Sequence, residues 1–430
     1  MTGPLALIAG LMALFLAGGI WVGFALMSVG IISLETFKNM KVERFLAGDV
    51  WGSATALELV TLPLFILMGE ILFHTRLSEN LFGGLAPFVR RLPGRLLHVN
   101  ILGCTLFAAV SGSSAATTAT VGRITLTELG SRSYDRGLAL GSLAGAGTMG
   151  FLIPPSIPLI VYGVLAEISI LDLFIAGIVP GLLLAAMFML YVGTAALLRP
   201  GAAAAPQPST SWAEKLRALT RLLPTVALIG LVIGSMYGGF ASVTEAAAVG
   251  VLGAAILAAA EGQLSFGMAR KALLGTVKTC SMIGLIITGA LFLSKAMARL
   301  SIPTDVAAAI DALALDPLAL ILLLMLFYLA LGCFLDGLST IVMTLPVTLP
   351  LIVAAGFDPV WFGIFLIVTV EMAQITPPIG FNLFVIKGMT GEGIGRIARA
   401  AAPFCLIMIL LVMLLIAFPG LAIWLPGSMR

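Results

Sequence analysis

Two proline pairs, each inside a long apolar run, constrain the fold of this 430-residue chain more than any other sequence feature. Pro154–Pro155 lies in TMGFLIPPSIPLIVYG, and Pro377–Pro378 lies in MAQITPPIGFNLFVIKG. A proline removes a backbone donor and clashes with the preceding turn, so each pair breaks its helix and leaves backbone groups without helical partners. Hydrocarbon cannot satisfy those groups, and unwound backbone at membrane depth is tolerated only when it is packed in protein or lines a cavity. Each break is therefore a candidate functional site.

The composition places both runs in a membrane. Hydrophobic residues make up 60% of the chain and charged residues 10%, whereas a soluble domain has about 25% charged residues. The chain is therefore predicted to be a multi-pass protein in contact with a lipid bilayer. The net charge of +3 is spread over the connecting segments, which excludes nucleic acid as a partner.

The two breaks are related by a constant spacing of 223 residues. Matching pairs at this spacing are Pro154 and Pro377, Pro155 and Pro378, Pro180 and Pro403, and Asp135 and Asp358. An ungapped register of about 57–195 against 280–418 is typical of an internal duplication. The sequence therefore predicts two related halves, each with one broken helix.

Basic residues in the connecting segments predict the topology of the first half. The segments 76–97 and 132–136 are both rich in arginine, which places them on the cytoplasmic side by the positive-inside rule. The stretch 98–131 between them must therefore enter the membrane and return, as a re-entrant hairpin with its tip near Ser111–Ser114. The acidic loop Glu167–Asp172 then lies outside.

The other predicted segments of this half are a span or pair of short spans at 4–34, a polar connector at 35–56, a span at about 57–75, an arm helix at 77–92, a broken helix at about 138–165 and a span at 173–197.

The second half is predicted to insert in the opposite sense. Arg270 and Lys271 place the start of its repeat in the cytoplasm, whereas the matching span at 57–75 starts outside. The predicted segments of this half are a flexible linker at 200–208, spans at about 222–240 and 243–260, a second hairpin at 317–357 entering from outside, a second broken helix from 361 to Lys387, and a last span from 400.

The predicted fold class is an all-α polytopic membrane protein, an inverted repeat with two re-entrant helical hairpins and two broken helices. The predicted divisions are 1–97 (N-terminal scaffold helices and first arm), 98–197 (first hairpin, broken helix and following span), 198–316 (linker, scaffold helices and second arm) and 317–430 (second hairpin, broken helix and last span).

Two hairpin tips that meet two broken helices bring backbone and hydroxyl oxygens together near the membrane midplane. Such oxygens suit a hard cation such as Na⁺, at two or more sites, while the N-termini of half-helices favour an anion. The candidate Na⁺ ligands are Ser111, Gly112, Ser113, Gly147, Thr148 and Pro154 in the first half, and Asp336, Gly337, Ser339, Thr340, Gln374, Thr376 and Pro377 in the second. The candidate substrate-binding residues are Arg123, Ser114, Thr148 and Asn382.

Structural roles compete with several of these assignments. Asp336, like Glu371, lies in an apolar stretch and either binds a ligand or holds hairpin backbone. Arg123 either meets an anionic substrate or extends to the membrane interface, and Glu245 is typical of a helix N-terminal acid. Glycines four residues apart are typical of close helix packing, as at Gly141 with Gly145 and Gly230 with Gly234.

The longest motifs of the chain resemble those of one known family. SGSSAATTATVG at 111–122, the run GTMGFLIPPSIPLIVYGVLAEISILDLFIAGIVPG at 147–181, GCFLDGLSTI and QITPPIGFNLFVIKG resemble the large membrane (M) subunit of tripartite ATP-independent periplasmic (TRAP) transporters. The resemblance covers most of the chain. It implies a Na⁺-driven symporter of the bacterial inner membrane that imports a C4-dicarboxylate, a sialic or other sugar acid, or a keto acid by an elevator movement. The family's Na⁺ ligands carry over as motif positions to Ser111, Ser113, Asp336 and Thr376.

The resemblance also implies two partners, a small four-helix membrane subunit (Q) and a soluble periplasmic substrate-binding protein (P). A stand-alone ion-coupled carboxylate or anion transporter of the same architecture is an alternative, and a channel is a second. An enzyme is not expected, because the sequence has no H-E-x-x-H, no P-loop and only two histidines.

Overall fold

The computed structural model describes residues 3–38, 42–199, 201, 211–305, 308 and 316–429, and across these ranges it is helical without any strand. Apart from Gly201, the predicted linker at 200–208 lies outside the described residues. The helices of the first half are α1 Gly3–Ala17, α2 Val22–Lys38, α3 Glu43–Ala54, α4 Thr61–Phe73, α5 Leu77–Val89, α6 Leu97–Ser111, α7 Ser114–Ser131, α8 Arg136–Thr148, α9 Ile157–Ala166 and α10 Ile170–Leu198, with a short 3₁₀ helix, Leu57–Val60, before α4. Those of the second half are α11 Trp212–Tyr237, α12 Val243–Ala260, α13 Phe266–Arg299, α14 Pro317–Gly332, α15 Gly337–Ala354, α16 Pro359–Gln374, α17 Phe381–Thr390, α18 Ile394–Ala417 and α19 Gly420–Ser428.

Six of these helices, α10, α11, α12, α13, α15 and α18, are long and apolar enough to cross a membrane. They agree with the predicted multi-pass class. Helices such as α9 and α17 have 10 residues each, about 15 Å, which is half the thickness of the hydrocarbon layer. Such a piece crosses the layer only together with the helix on the other side of its break.

The proline pairs interrupt the chain where the sequence predicts. Eight residues around Pro154–Pro155 separate α8 from α9, and six residues around Pro377–Pro378 separate α16 from α17. Both Pro–Pro peptide bonds are cis. Ser156 restarts the helix in the first half, since its hydroxyl accepts from the Leu159 amide at 3.4 Å.

The spacing of 223 residues recurs in the helix bounds. α7 and α15 begin at 114 and 337 and end at 131 and 354, so both bounds differ by 223. The N-cap residues follow the same spacing, because Asp135 and Asp358 cap α8 and α16. The counterpart of α13 (266–299) in the first half is therefore the range 43–76. This range begins at the first residue of α3 and includes α4, so one long helix in the second half corresponds to two helices in the first.

The polar connector predicted at 35–56 contains helices. α2 continues to Lys38, and α3 runs against α13, where Lys295 and Asp49 form a 2.7 Å ion pair. Polar content alone misled the prediction, because α3 is stabilised by its contact with α13 rather than by a hydrophobic face of its own.

The helices pack in two groups, which contact each other mainly where α6 lies against α4 and α5 and where α13 lies against α15. In the first group α13 packs on α2 and α4, α12 on α4, and α11 on α5. In the second group α8 packs on α6, α7 and α18, while α16 packs on α14 and α15. The hairpin tips face the boundary between the groups.

One of the two predicted glycine contacts is present. A Cβ atom on Gly141 would meet the Ala400 carbonyl, and one on Gly145 would meet Phe404, so α8 and α18 approach too closely for any larger residue. At Gly230 and Gly234 no atom of the described residues lies within 4 Å of such a Cβ. The predicted close packing at that second pair is wrong within this chain, because α11 turns these glycines away from its neighbours.

The acid Glu245 begins α12 in the structural role that the sequence allows. Its carboxylate accepts from the Ser242 amide at 2.8 Å, and the Ser242 hydroxyl accepts from the Glu245 amide, which together form a capping box.

Candidate functional site

The two hairpin tips line one cavity of about 370 Å³, here called the tip cavity. The first tip contributes Gly112, Ser113 and Ser114. The second half contributes Asp336, Gly337 and Gln374. The other lining residues are Ala115, Phe151, Ile157, Pro158, Thr279, Met282, Ile283, Leu338 and Phe381. Candidate residues more than 200 positions apart in the sequence thus meet in space.

The first tip is a left-handed turn between α6 and α7. Gly112 has φ 56°, and a Cβ there would lie 3.0 Å from the Pro155 carbonyl oxygen, so both the conformation and the space require glycine. The Ser113 hydroxyl caps α7 by accepting from the Ala116 amide at 3.4 Å. The Ser111 and Thr117 hydroxyls are 2.8 Å apart. The turn therefore gathers three hydroxyl groups beside the cavity.

Hydrogen bonds fasten the first tip to both broken helices. The Ile157 amide, just after the first break, donates to the Gly112 carbonyl at 3.4 Å. The Ser114 hydroxyl donates to the Gly147 carbonyl at 3.2 Å, and the Asn382 side-chain amide donates to the Ser114 hydroxyl at 2.6 Å. A residue of α17 therefore contacts the hairpin of the other half.

The second tip repeats this arrangement. The Gly380 amide, just after the second break, donates to the Cys333 carbonyl at 3.3 Å. The Asp336 carboxylate accepts from the Ser339 amide at 3.0 Å and the Thr340 hydroxyl donates to the Asp336 carbonyl at 2.9 Å. The Gln374 amide donates to the Leu335 carbonyl at 3.3 Å. Asp336 thus caps α15, one of its two possible roles, and also lines the tip cavity.

Glu371 joins the halves from within α16. Its Oε1 accepts from the amide of Phe151, which lies in the broken segment of the first half, at 2.9 Å. The residue is fully buried, and its Oε2 has no hydrogen-bond partner in the part of the chain that the structure describes. Glu371 therefore holds backbone, as one of its two predicted roles requires, but the backbone is that of the first broken segment rather than of a hairpin.

Other candidate residues lie at the breaks but outside the lining of the tip cavity. The Thr148 hydroxyl donates to the Gly145 carbonyl at 2.7 Å, and the Thr376 hydroxyl donates to the Met372 carbonyl at 2.7 Å. The Pro377 carbonyl accepts from the Cys333 thiol at 3.4 Å. The further candidates outside the lining are Gly147, Pro154, Ser339, Thr340 and Asn382, while Ser111 lines a neighbouring cavity of about 390 Å³.

Arg123 is not brought together with the tip residues. It is exposed on α7 and lines a separate cavity of about 560 Å³ with Thr127, Ser131 and Arg136. Ser114 begins the same helix, nine residues or about 14 Å earlier.

Sequence reasoning missed part of the cavity wall. Thr279 and Met282 reach it from α13, and Phe151 reaches it from the first broken segment. Nothing in the apolar run of α13 distinguishes these two positions. Phe381 was missed as well, although its place as the first helical residue after the second break is a signal that could have identified it.

An all-helical chain with membrane-length helices, two broken helices and two hairpin tips around a cavity belongs to the class of membrane transporters. Residues 9–421 match the family described as tripartite ATP-independent periplasmic transporter, DctM component, and the chain belongs to this family. The predicted resemblance to a TRAP large membrane subunit is thereby confirmed, and the named relatives are transporter permeases rather than enzymes.

The relatives are similar along nearly their whole length. The chain is 32% identical to the C4-dicarboxylate TRAP transporter large permease protein DctM of Pseudomonas aeruginosa, over 93% of this chain and 92% of that protein. It is 30% identical to the sialic acid TRAP transporter large permease protein SiaM of Vibrio cholerae, over 96% of each. The crystal structure of the Alcanivorax borkumensis YdaH transporter superposes with a TM-score of 0.59 over 87% of each chain at 18% identity, a likeness of fold.

Proposed function

We propose that this chain is the large subunit of a Na⁺-coupled symporter that imports a small carboxylate across the bacterial inner membrane. The family and its relatives support a secondary transporter, and two relatives are named for a C4-dicarboxylate and for sialic acid, both of which carry carboxylates. The particular carboxylate is selected in part by a soluble periplasmic binding protein that delivers it.

The observation that carries the proposal is the tip cavity. Gly112, Ser113 and Ser114 of the first tip line it together with Asp336 and Gln374 of the second half, in a volume of about 370 Å³. This volume lies within the range of small-molecule sites, about 300–1,000 Å³. Hydroxyl groups beside one carboxylate, Asp336, suit Na⁺, and the N-terminus of α7, whose first turn has no acidic residue, favours the anion.

The proposed movement is an elevator in which the hairpins and broken helices shift together against the remaining helices. Hydrogen bonds from each tip to the segment just after a break, at Gly112 and Cys333, support their movement as one unit. The tip cavity lies where this unit meets α13, so a shift along α13 would change the side from which the cavity opens. A small four-helix membrane subunit and the periplasmic binding protein complete the proposed system, in line with the tripartite family description.

Uptake by proteoliposomes tests the proposal. The chain is reconstituted with its small membrane subunit, and uptake of labelled succinate, sialic acid and a keto acid is measured with and without an inward Na⁺ gradient and the binding protein. Dependence on both supports the proposed symporter. Uptake that needs no binding protein would instead indicate a stand-alone transporter, and flux that needs no gradient would indicate a channel.

Ser113→Ala and Thr376→Ala test the Na⁺ assignment. Each removes one hydroxyl oxygen at a tip or a break, so we expect the Na⁺ concentration for half-maximal uptake to rise about tenfold, equivalent to about 1.4 kcal/mol. The control is Thr220→Ala, because that exposed hydroxyl bonds only to the Arg217 carbonyl of its own helix. Unchanged Na⁺ activation in both variants would remove these two residues from the site.

A further inference from the structure

A groove between α7 and α17 leads away from the tip cavity. Ala115 lines the tip cavity and also the neighbouring cavity of about 390 Å³, to which α17 contributes Phe381 and Val385. The same two helices then line the separate cavity of about 560 Å³. The α7–α17 groove is defined by Ala116, Ala119, Arg123 and Thr127 of α7 and by Phe381, Val385, Gly388 and Met389 of α17.

The residues of the groove lie along one face of each helix. On both helices the successive positions are three, four or one residue apart, so they follow one face from turn to turn. On α7 the side chains near the tip cavity are the methyl groups of Ala115, Ala116 and Ala119. On α17, a Cβ on Gly388 would meet no atom of the described residues within 4 Å. Space is therefore left along the face where α7 and α17 run side by side.

The guanidinium group of Arg123 gives the groove a positive charge at the end farthest from the tip cavity, here called its outer end. Arg132 pairs with Glu128 at 3.0 Å, and Arg136 pairs with Glu392 at 3.3 Å. Arg123 is exposed, lines the outer cavity, and has no side-chain hydrogen bond or ion pair with any residue that the structure describes. Its guanidinium group is thus available to an anion.

We infer that the α7–α17 groove is the path along which the carboxylate leaves the tip cavity, and that Arg123 binds the carboxylate at the outer end of this path. A guanidinium group holds a carboxylate with two parallel hydrogen bonds, and a cationic cleft raises the local concentration of anions. The assignment rests on the proposed function and moves Arg123 from the central site to a release site about 14 Å away.

The local charge can be measured without transport. Thr127 is exposed and lies one turn beyond Arg123, so Thr127→Cys in the full-length protein reports on the outer cavity. The rates of its modification by anionic sulfonatoethyl methanethiosulfonate and by cationic trimethylammonioethyl methanethiosulfonate are compared. The parent protein, which lacks the new cysteine, gives the background labelling of the native cysteines, and this background is subtracted. The native cysteines are buried or partly buried: Cys104, Cys280, Cys333 and Cys405.

In the Thr127→Cys protein, we expect Arg123→Gln to lower at least threefold the ratio of the modification rate by the anionic reagent to that by the cationic reagent. Arg123→Lys should preserve the ratio and Arg123→Glu should invert it. Arg217→Gln removes one positive charge from α11 and is the matched control, for which the ratio should not change. A further expectation is that 10 mM succinate slows the anionic reaction at least twofold with Arg123 present but not in Arg123→Gln.

The outcomes separate this inference from the proposed function. A ratio that does not respond to Arg123→Gln, or labelling that succinate does not slow, overturns the release site even when Na⁺-driven uptake is normal. A charge preference with succinate protection, in a protein that shows no Na⁺-driven uptake, supports the anion site while the symporter proposal fails. Arg123→Lys and Arg123→Glu keep the test valid should Arg123→Gln fold poorly.

Discussion

At the scale of single residues, the contact between Gly147 and Thr118 limits what α8 can contain. A Cβ on Gly147 would overlap the Thr118 hydroxyl and lie 3.0 Å from the Thr118 Cβ, and both residues are buried. We predict that Gly147→Ala lowers the free energy of unfolding by about 1–3 kcal/mol, the usual cost of overpacking. Adding Thr118→Ala should restore most of this loss, because it removes the overlapping hydroxyl. SDS-induced unfolding of the purified proteins measures both.

Gly230→Ala is the control for the alanine substitution itself. No atom of the described residues lies within 4 Å of a Cβ there, so the change should stabilise α11 by about 0.5–1 kcal/mol through helix propensity alone. A double variant as unstable as Gly147→Ala would show that the contact with Thr118 is not the cause of the loss.

At the scale of helices, the sequence predicted the interruptions well and the packing less well. The broken helices expected at about 138–165 and from 361 to Lys387 occupy 136–166 and 359–390. A proline disrupts the helical turn in which it lies, so a break can be predicted from a few neighbouring residues of the sequence. The wall that α13 gives to the tip cavity depends on contacts between distant segments, which no local pattern records. The sequence left two roles open for Arg123 for the same reason, because its surroundings depend on how α17 lies beside α7.

An ion-pair cluster joins two of these elements and predicts a pH dependence. Glu392 precedes α18 and bonds Arg136 at the start of α8 at 3.3 Å and Arg396 at 3.1 Å. The hydrogen bond from Arg136 lowers the pKa of Glu392 below its ordinary value. A carboxyl with a lowered pKa in the folded state stabilises that state above its unfolded pKa and loses this contribution as the pH falls through the folded value.

Glu392→Gln removes that contribution. The difference in thermal midpoint between the parent and Glu392→Gln should therefore be constant above about pH 5 and shrink as the pH falls further below the ordinary glutamate pKa of about 4.3. Glu128→Gln, which breaks only an exposed pair within α7, should show a smaller difference. A difference that grows on acidification would contradict the assigned direction of the shift.

At the scale of the whole molecule, two similar halves can share a site only if they face each other. Hairpins that entered from the same side would place both tips at the same depth but with parallel broken helices. Insertion in opposite senses instead lets α7 and α15 point their N-termini at one cavity, which is the arrangement that the tip cavity needs. The predicted inverted repeat would account for this shared lining, and the sense in which each half inserts stays a prediction.

Sidedness gives the most direct test of that arrangement. We predict that Glu167→Cys, between α9 and α10, reacts with a membrane-impermeant maleimide added outside, and that Lys387→Cys on α17 reacts only from the cytoplasmic side. Both residues are exposed, so labelling does not depend on unfolding. Lys215→Cys on α11 is the cytoplasmic reference, and the parent protein gives the background of its native thiols. Labelling of Glu167→Cys and Lys387→Cys from the same side would show that the halves do not oppose each other, and the shared pocket would then have no topological basis.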